Sequence, residues 1–219
     1  MQSRNQARGI PWAGAMALAI AIVTFGVVLS GPISLSSLLQ TWYLSRAVGI
    51  IAFVLLWGSV TLGLLQSTGY LKGVTSPLAN IDLHEFTSLG ALYASIFHAV
   101  ILLWDQYLPF RVLDLVVPFS GAYHPVLVGL GSVAFYVALG AVLTTYLRGR
   151  LNPKTWRQLH QISLLGFIAA LVHGLLLGTD SGLPAVVFVY GFAVLSVALL
   201  VGLRIYRGFD RCKTSRSPC

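Results

Sequence analysis

Charged side chains are scarce in this sequence. Of its 219 residues only 9% are Asp, Glu, Lys or Arg, and the mean hydropathy is +0.83. A soluble domain usually carries about a quarter charged residues, so the shortage excludes an ordinary water-soluble domain and indicates a surface that mostly faces lipid. The net charge of +8 is therefore interpreted as a topology signal, and no nucleic-acid partner is expected.

Cysteine is nearly absent, and the sequence also lacks long polar segments. The two cysteines, Cys212 and Cys219, both lie in the polar C-terminal stretch, and no CxxC pair occurs. This excludes a disulfide framework and a CxxC-type metal site, and we interpret both thiols as reduced and cytosolic. No segment is long enough for a separate soluble domain, so any chemistry is expected within the apolar part.

Long apolar runs dominate the remainder of the chain. A bilayer core of about 30 Å needs roughly 20 apolar residues per helix. The first run follows "MQSRNQARG" as a signal peptide would, but it is longer and lacks an A-x-A cleavage site, so we interpret it as an uncleaved span. The pattern predicts an all-α membrane protein, a bundle of six transmembrane helices at about 10–30, 43–65, 82–104, 123–147, 157–178 and 184–205.

The basic residues predict the orientation. If the N-terminus is cytoplasmic, all of the 14 Lys and Arg residues except Arg46 and Arg111 lie inside. The positive-inside rule therefore predicts two cytoplasmic termini in a multi-pass protein of the plasma (inner) membrane. We divide the chain into a cytoplasmic segment at 1–9, the six-span domain at 10–205 and a basic cytoplasmic tail at 206–219. The apolar linker at 105–123 is expected to lie along the membrane interface.

Four of the five histidines lie in two spans, "IDLHEFTSLGALYASIFHAV" and "WRQLHQISLLGFIAALVHGLL". His84 and His160 lie near the inner ends of the third and fifth spans, and His98 and His173 near the outer ends. The separations of 14 and 13 residues correspond to about 20 Å along a helix. Because the two spans are parallel, we expect two cross-helix pairs, His84 with His160 and His98 with His173.

Imidazoles in lipid are costly unless they are satisfied, and a neutral imidazole can ligate haem iron. A haem between each pair would form a one-electron path across most of the membrane. The histidines could instead form hydrogen bonds between helices. They could also relay protons, although such relays usually include Asp or Glu, and here Asp82 and Glu85 lie only at the inner end.

The helical phase of the fifth span does not fit this picture directly. Fourteen residues return to within about 40° of the starting face, whereas 13 leave an offset of about 140°. We therefore expect a distorted fifth span or two different histidine rotamers. Gly90 and Gly166, each six residues after an inner histidine, could make room for a macrocycle or could allow close helix packing.

The paired His-x13-His and His-x12-His, together with "RGRLNPKTWRQLHQISLLGFIAALVHGLLLGTD", resemble the ferric reductase-like transmembrane domain superfamily over about 43–205. This superfamily includes NADPH oxidases, ferric reductases and the haem-binding membrane subunit of bacterial methionine sulfoxide reductase systems. The resemblance implies two b haems, with axial iron ligands His84 and His160 at the inner site and His98 and His173 at the outer site.

The chain also departs from these relatives. Ferric reductases and NADPH oxidases continue into FAD and NADPH domains, whereas only "FDRCKTSRSPC" follows Gly208. We therefore expect an oxidoreductase membrane subunit with a separate electron donor, a flavoprotein reductase or a quinol. The acceptor at the outer face would be a partner oxidoreductase or a small molecule. Leu102 occupies the position of a further histidine in NADPH oxidases, so superoxide production is not implied.

Two arginines are candidate contacts for haem propionates. Arg46 opens the second span, and the resemblance supports an arginine there, but it could also snorkel to the interface. Arg157 lies one turn before His160 and could equally be a topology marker. His124 is expected to be exposed at the interface and Asp180 to be a simple loop residue. Two other functions stay open, a non-catalytic anchor subunit with or without haem and a histidine-relay proton channel or transporter.

Overall fold

The computed structural model describes residues 35–71, 76–105 and 107–214, with side chains over 41–71, 76–105 and 107–207. Within these ranges the chain is helical and contains no strand. It forms α1 Leu35–Thr68, α2 Pro77–Ile101, a 3-10 helix Leu102–Trp104, α3 Val112–Val116, α4 Pro125–Tyr146, α5 Pro153–Gln161, α6 Ser163–Leu177 and α7 Pro184–Thr214.

Five segments are long and apolar enough to cross a membrane. They are Thr41–Thr68, Pro77–Trp104, Pro125–Tyr146, Pro153–Leu177 and Pro184–Arg207. These match the second to sixth predicted spans, and the predicted first span at 10–30 lies outside the described residues. Large apolar side chains of α7 face outward, with Phe188 and Leu195 each 70% exposed, as expected for a helix in lipid. The protein is therefore a multi-pass integral membrane protein, and its described part is all-helical.

Proline begins four of these helices, because its missing N–H costs nothing in the first turn. Ser76 precedes Pro77, and its hydroxyl accepts the backbone N–H of Ala79 at 3.1 Å. Asn152 precedes Pro153 and accepts the N–H of Lys154 at 2.9 Å. These caps fix where α2 and α5 begin.

The helices pack mainly as neighbours in sequence. α1 packs most extensively against α2 and α4 against α6, while α7 covers α1. The buried core joins α1, α6 and α7 through Phe53, Leu64, Phe167, Tyr190, Ala193, Val197 and Leu200. The Phe53 ring lies 5.7 Å from the Phe167 ring and 4.6 Å from the Tyr190 ring.

The fifth predicted span is interrupted at Ile162, between α5 and α6. The N–H of Ile162 bonds to the carbonyl of Leu159 at 3.2 Å, and the N–H of Leu165 to the carbonyl of Ile162 at 2.9 Å. Such i to i−3 bonds tighten the helix towards 3.0 residues per turn. In an ideal helix His173 lies about 140° short of the face that His160 occupies. The added rotation reduces this offset, so the fifth span is distorted as expected.

The segment 107–124 folds back over α4. It contains the short α3, and Ser132 on α4 donates its hydroxyl to the carbonyl of Leu115 at 3.0 Å. Phe119, at φ 68°, lies so close to Gly129 that a Cβ there would stand 2.2 Å from its ring. Only glycine permits this approach. The exposed apolar side chains of this segment, among them Val112 and Leu113, suit its predicted position along the membrane interface.

Candidate haem-binding site

The structure brings the four histidines together in two pairs. The ring centroids of His84 and His160 are 5.9 Å apart, and those of His98 and His173 are 6.3 Å apart. His84 and His98 lie on α2, His160 on α5 and His173 on α6. The interruption at Ile162 therefore separates the two histidines of the fifth span, and each faces its partner on α2.

Both separations suit two imidazoles that ligate one iron from opposite sides. A metal–imidazole bond of about 2.0 Å, plus roughly 1.1 Å from the nitrogen to the ring centre, gives about 6 Å between the two centroids. Across the described part of the chain, no group of three or more His, Cys, Asp and Glu side chains could hold an ion. Two protein ligands suffice for haem, because the porphyrin supplies the other four.

Backbone hydrogen bonds orient three of the rings. Nδ1 of His98 donates to the carbonyl of Ser45 at 2.8 Å, that of His84 to Ser59 at 3.0 Å and that of His173 to Leu127 at 2.8 Å. A carbonyl can only accept, so Nδ1 carries the proton in each ring. The lone pair of Nε2 is therefore free for a metal, the tautomer that second-shell hydrogen bonds select at metal sites.

A glycine lies beside each of these three carbonyls. In a helix a carbonyl points towards the amide four residues later. An imidazole that reaches the carbonyl therefore lies against the residue four positions later. The residues in question are Gly49, Gly63 and Gly131, where an added Cβ would stand 3.1, 3.4 and 2.9 Å from the nearest imidazole atom. We call the carbonyl residue and the residue four positions later a cradle.

The cradles of α1 were not predicted, although the sequence carries a signal for them. "SRAVG" from Ser45 and "SVTLG" from Ser59 repeat Ser-x3-Gly at a spacing of 14 residues, the same spacing as His84 and His98. Antiparallel packing of α1 on α2 therefore presents one cradle to each histidine. Ser59 also joins a polar network, with its hydroxyl 2.6 Å from that of Ser88.

The fourth histidine differs from the other three. His160 faces the carbonyl of Ala141, 14 residues after Leu127, and interacts with it, but its buried Nδ1 makes no hydrogen bond of full geometry. The position four residues later is Thr145 rather than glycine. The Trp156 ring instead stacks on the imidazole, with centroids 5.5 Å apart and planes 26° apart.

Gly90 and Gly166 serve close packing. A Cβ at Gly90 would stand 3.3 Å from Leu55, and one at Gly166 would stand 2.9 Å from Val137. Both glycines are buried between helices rather than against a histidine. The structure thus favours close helix packing, rather than room for a macrocycle, as the role of these two glycines. The glycines near the imidazoles are those of the cradles.

A cavity of about 410 Å³ adjoins the His98–His173 pair, within the range of small-molecule and cofactor sites. Its walls are mostly apolar and include Phe53, Tyr190 and the loop residues Leu108 and Phe110. Gly174 also lines it, where a Cβ would stand 2.5 Å from the hydroxyl of Tyr190. Side chains of the segment 107–124 and of the core together line this space.

Arg46 lies at this cavity, but its partner in the structure is an aspartate. Its Nε donates to Oδ2 of Asp180 at 2.6 Å, and a second nitrogen pairs with Oδ1. Asp180 lies in the loop before α7, as expected, and its side chain is partly buried in this ion pair, which the sequence did not indicate. Both residues line the cavity, and contact of Arg46 with a propionate stays a prediction.

The other two candidates lie at the surface. Arg157 is exposed on α5, and its Nε donates to the carbonyl of Pro153 at 3.1 Å in its own helix. Its proposed propionate contact also stays a prediction. His124 is exposed, as expected, and caps α4 in a left-handed conformation at φ 37°.

Comparison with protein families gives a match to the ferric reductase like transmembrane component over residues 48–171. The match covers more than half of the chain and includes His84, His98 and His160, and it ends two residues before His173. No curated protein and no solved structure matches the chain. The chain belongs to the ferric reductase-like transmembrane component family.

Proposed function

We propose that the protein transfers electrons across the membrane through two b haems, one between His84 and His160 and one between His98 and His173. Membership of its family supports transmembrane electron transfer in general. The observation that carries the finer proposal is the pairing itself, two sets of facing imidazoles with centroids 5.9 and 6.3 Å apart. When bound, the haems supply the one-electron redox chemistry.

The chain's own residues orient the ligands and exclude water. The carbonyls of Ser45, Ser59 and Leu127 hold three rings with their Nε2 lone pairs free. The 14-residue separation of His84 and His98 places the two sites about 21 Å apart along α2. Phe53, eight residues after Ser45 and six before Ser59, lies between the sites with Phe167 and Tyr190. This apolar layer insulates the path from solvent.

We infer that electrons enter at the His84–His160 site from a separate flavoprotein reductase or a quinol. They would leave at the His98–His173 site to a partner oxidoreductase or a small acceptor at the outer face. This direction rests on the positive-inside orientation of the basic residues. Contacts with anionic lipid at the basic inner face would accompany it.

The proton-relay alternative finds less support. A relay requires polar groups between the two pairs, whereas Phe53 and Phe167 occupy the middle of the bundle and are 5% and 2% exposed. The polar network of Ser59 and Ser88 reaches only His84.

Liposomes test the proposal directly. The purified protein is reconstituted with ferricyanide trapped inside, and a membrane-impermeant reductant is added outside. We expect ferricyanide reduction together with b-type bands in the reduced-minus-oxidised spectrum, and loss of transfer in His98→Ala. Haem bands without transfer would indicate an anchor subunit, and proton flux without haem bands would indicate a channel.

A further inference from the structure

The cradle at His160 is altered in a way that distinguishes this ligand from the other three. Where the other cradles have glycine, α4 has Thr145, and its hydroxyl donates to the Ala141 carbonyl at 3.1 Å. Thr144 donates to the same oxygen at 2.9 Å. The carbonyl that would hold His160 is therefore already engaged by two hydroxyls.

The Cβ of Thr145 occupies the position that stays open at the three glycine cradles. At Gly131 and Gly49 a Cβ would lie 2.9 and 3.1 Å from the imidazole, so a ring settles less fully on the carbonyl where this position carries a side chain. In agreement, Nδ1 of His160 is buried and approaches the Ala141 carbonyl without completing a hydrogen bond of full geometry. Stacking on Trp156, at 5.5 Å, orients the ring instead.

We propose that Thr144 and Thr145 are positioning residues that make His160 the weakest of the four ligands, so that the haem of the His84–His160 site is held less tightly and at a higher midpoint potential than an intact cradle would give. The inference rests on the proposed function. A hydrogen bond from Nδ1 makes an imidazole a better electron donor to the metal, and such donation favours ferric over ferrous iron.

Two variants that differ by one methyl group test this. Both proteins carry Thr144→Val, which removes one hydroxyl from the Ala141 carbonyl and keeps the side-chain volume. One of them also carries Thr145→Gly and the other Thr145→Ala. We expect the Gly protein to lose its His84–His160 haem to an apoprotein acceptor roughly tenfold more slowly than the Ala protein. The midpoint potential of this haem should also be lower in the Gly protein. The expected shift is about 59 mV for each tenfold gain in the affinity for ferric haem relative to ferrous haem.

The sign separates this proposal from a structural effect. Glycine within a helix is less stable than alanine, so a merely structural role would make the Gly protein lose haem faster. Equal rates and potentials in the two proteins, or faster loss from the Gly protein, would overturn the inference. The His160→Ala spectrum assigns which of the two transitions belongs to this site.

A reciprocal variant gives a second measurement at the same haem. At Gly63 a Cβ would make only ordinary contact with His84, at 3.4 Å, so Gly63→Ala should be tolerated. Gly63→Thr adds a hydroxyl that can take the Ser59 carbonyl, and we expect a higher midpoint and faster haem loss than in Gly63→Ala. No difference between the two would contradict the proposal. A parent chain without haem would overturn the proposed function as well, whereas haem in the parent with indistinguishable variants overturns only this inference.

Discussion

Nδ1 of His98 donates a hydrogen bond to the carbonyl of Ser45 at 2.8 Å. The same relationship joins His84 to Ser59. The two serines are 14 residues apart in sequence, and so are the two histidines. α1 thus repeats along its length the spacing of the histidines on α2. The repeat holds both rings in the tautomer that leaves Nε2 free, which is the condition for a metal ligand.

The cradle glycines should respond to substitution in the order of their distances. A Cβ at Gly131 would stand 2.9 Å from His173, and one at Gly49 would stand 3.1 Å from His98. We expect Gly131→Ala to lower haem occupancy at the His98–His173 site more than Gly49→Ala, by roughly tenfold in affinity. Haem titration of the purified variants measures this.

The matched controls lie on the same helices. At Gly140 an added Cβ would meet nothing within 4 Å, and at Gly58 it would stand 3.9 Å from Thr87. Gly140→Ala and Gly58→Ala should therefore keep the haem content of the parent. Equal losses in all four variants would show that these glycines matter for helix packing and not for the imidazoles.

The Arg46–Asp180 ion pair should affect the potential of the neighbouring site. Both charges line the cavity beside His98 and His173, and a nearby positive charge favours the reduced haem. We expect Arg46→Gln to lower and Asp180→Asn to raise the midpoint at this site, each by roughly 1 kcal/mol or about 40 mV. Potentiometric titration measures both, and shifts of the same sign would show that the pair acts only by holding the loop.

Acid should loosen the segment 107–124 through one carboxylate. Hydrogen bonds from the Arg111 side chain, chiefly, and from its backbone N–H lower the pKa of Asp114. Because this pKa is depressed in the folded state, the stabilisation is complete above the unfolded value of about 3.9 and is lost as the pH falls through the folded value.

Hydrogen exchange of this segment tests the effect. We expect Asp114→Asn to exchange faster at about pH 6, where the parent carboxylate is charged, and to lose the parent's further loosening in acid. Asp82→Asn, a substitution of the same kind outside the segment, is the control. An unchanged exchange rate in Asp114→Asn would contradict this role of the Arg111 contact.

The ring orientations predict a spectroscopic signature. The imidazole planes are 68° apart in the His84–His160 pair and 82° apart in the other. Nearly perpendicular axial imidazoles leave the iron d orbitals almost degenerate, so low-temperature EPR of the oxidised protein should show strongly anisotropic low-spin signals. A rhombic signal of the kind given by parallel imidazoles would mean that the rings rotate when haem binds.

Much of this arrangement could be predicted from the sequence. Spans of about 20 apolar residues follow from the thickness of the bilayer, and the matched depths of the histidines indicated which side chains would face each other. The 140° phase offset also pointed to a distortion, which lies at Ile162. These predictions succeeded because they depend on local periodicity along single helices.

The remainder depended on contacts between helices. The acceptors of His84, His98 and His173 are backbone carbonyls 25, 53 and 46 residues away, and every residue carries a carbonyl. Only the glycine four positions later marks the few that an imidazole can reach. Likewise the partner of Arg46, 134 residues away in sequence, follows from the packing of α1 beside the loop before α7, which no pattern within either segment indicates.

Haem stoichiometry tests the central claim most directly. The protein is expressed with ample iron and porphyrin precursor, purified, and assayed by pyridine haemochrome together with His84→Ala, His98→Ala, His160→Ala and His173→Ala. The account predicts two b haems per chain in the parent and about one in each variant, with the members of a pair losing the same spectral component. A colourless parent, or variants that keep both haems, would contradict it.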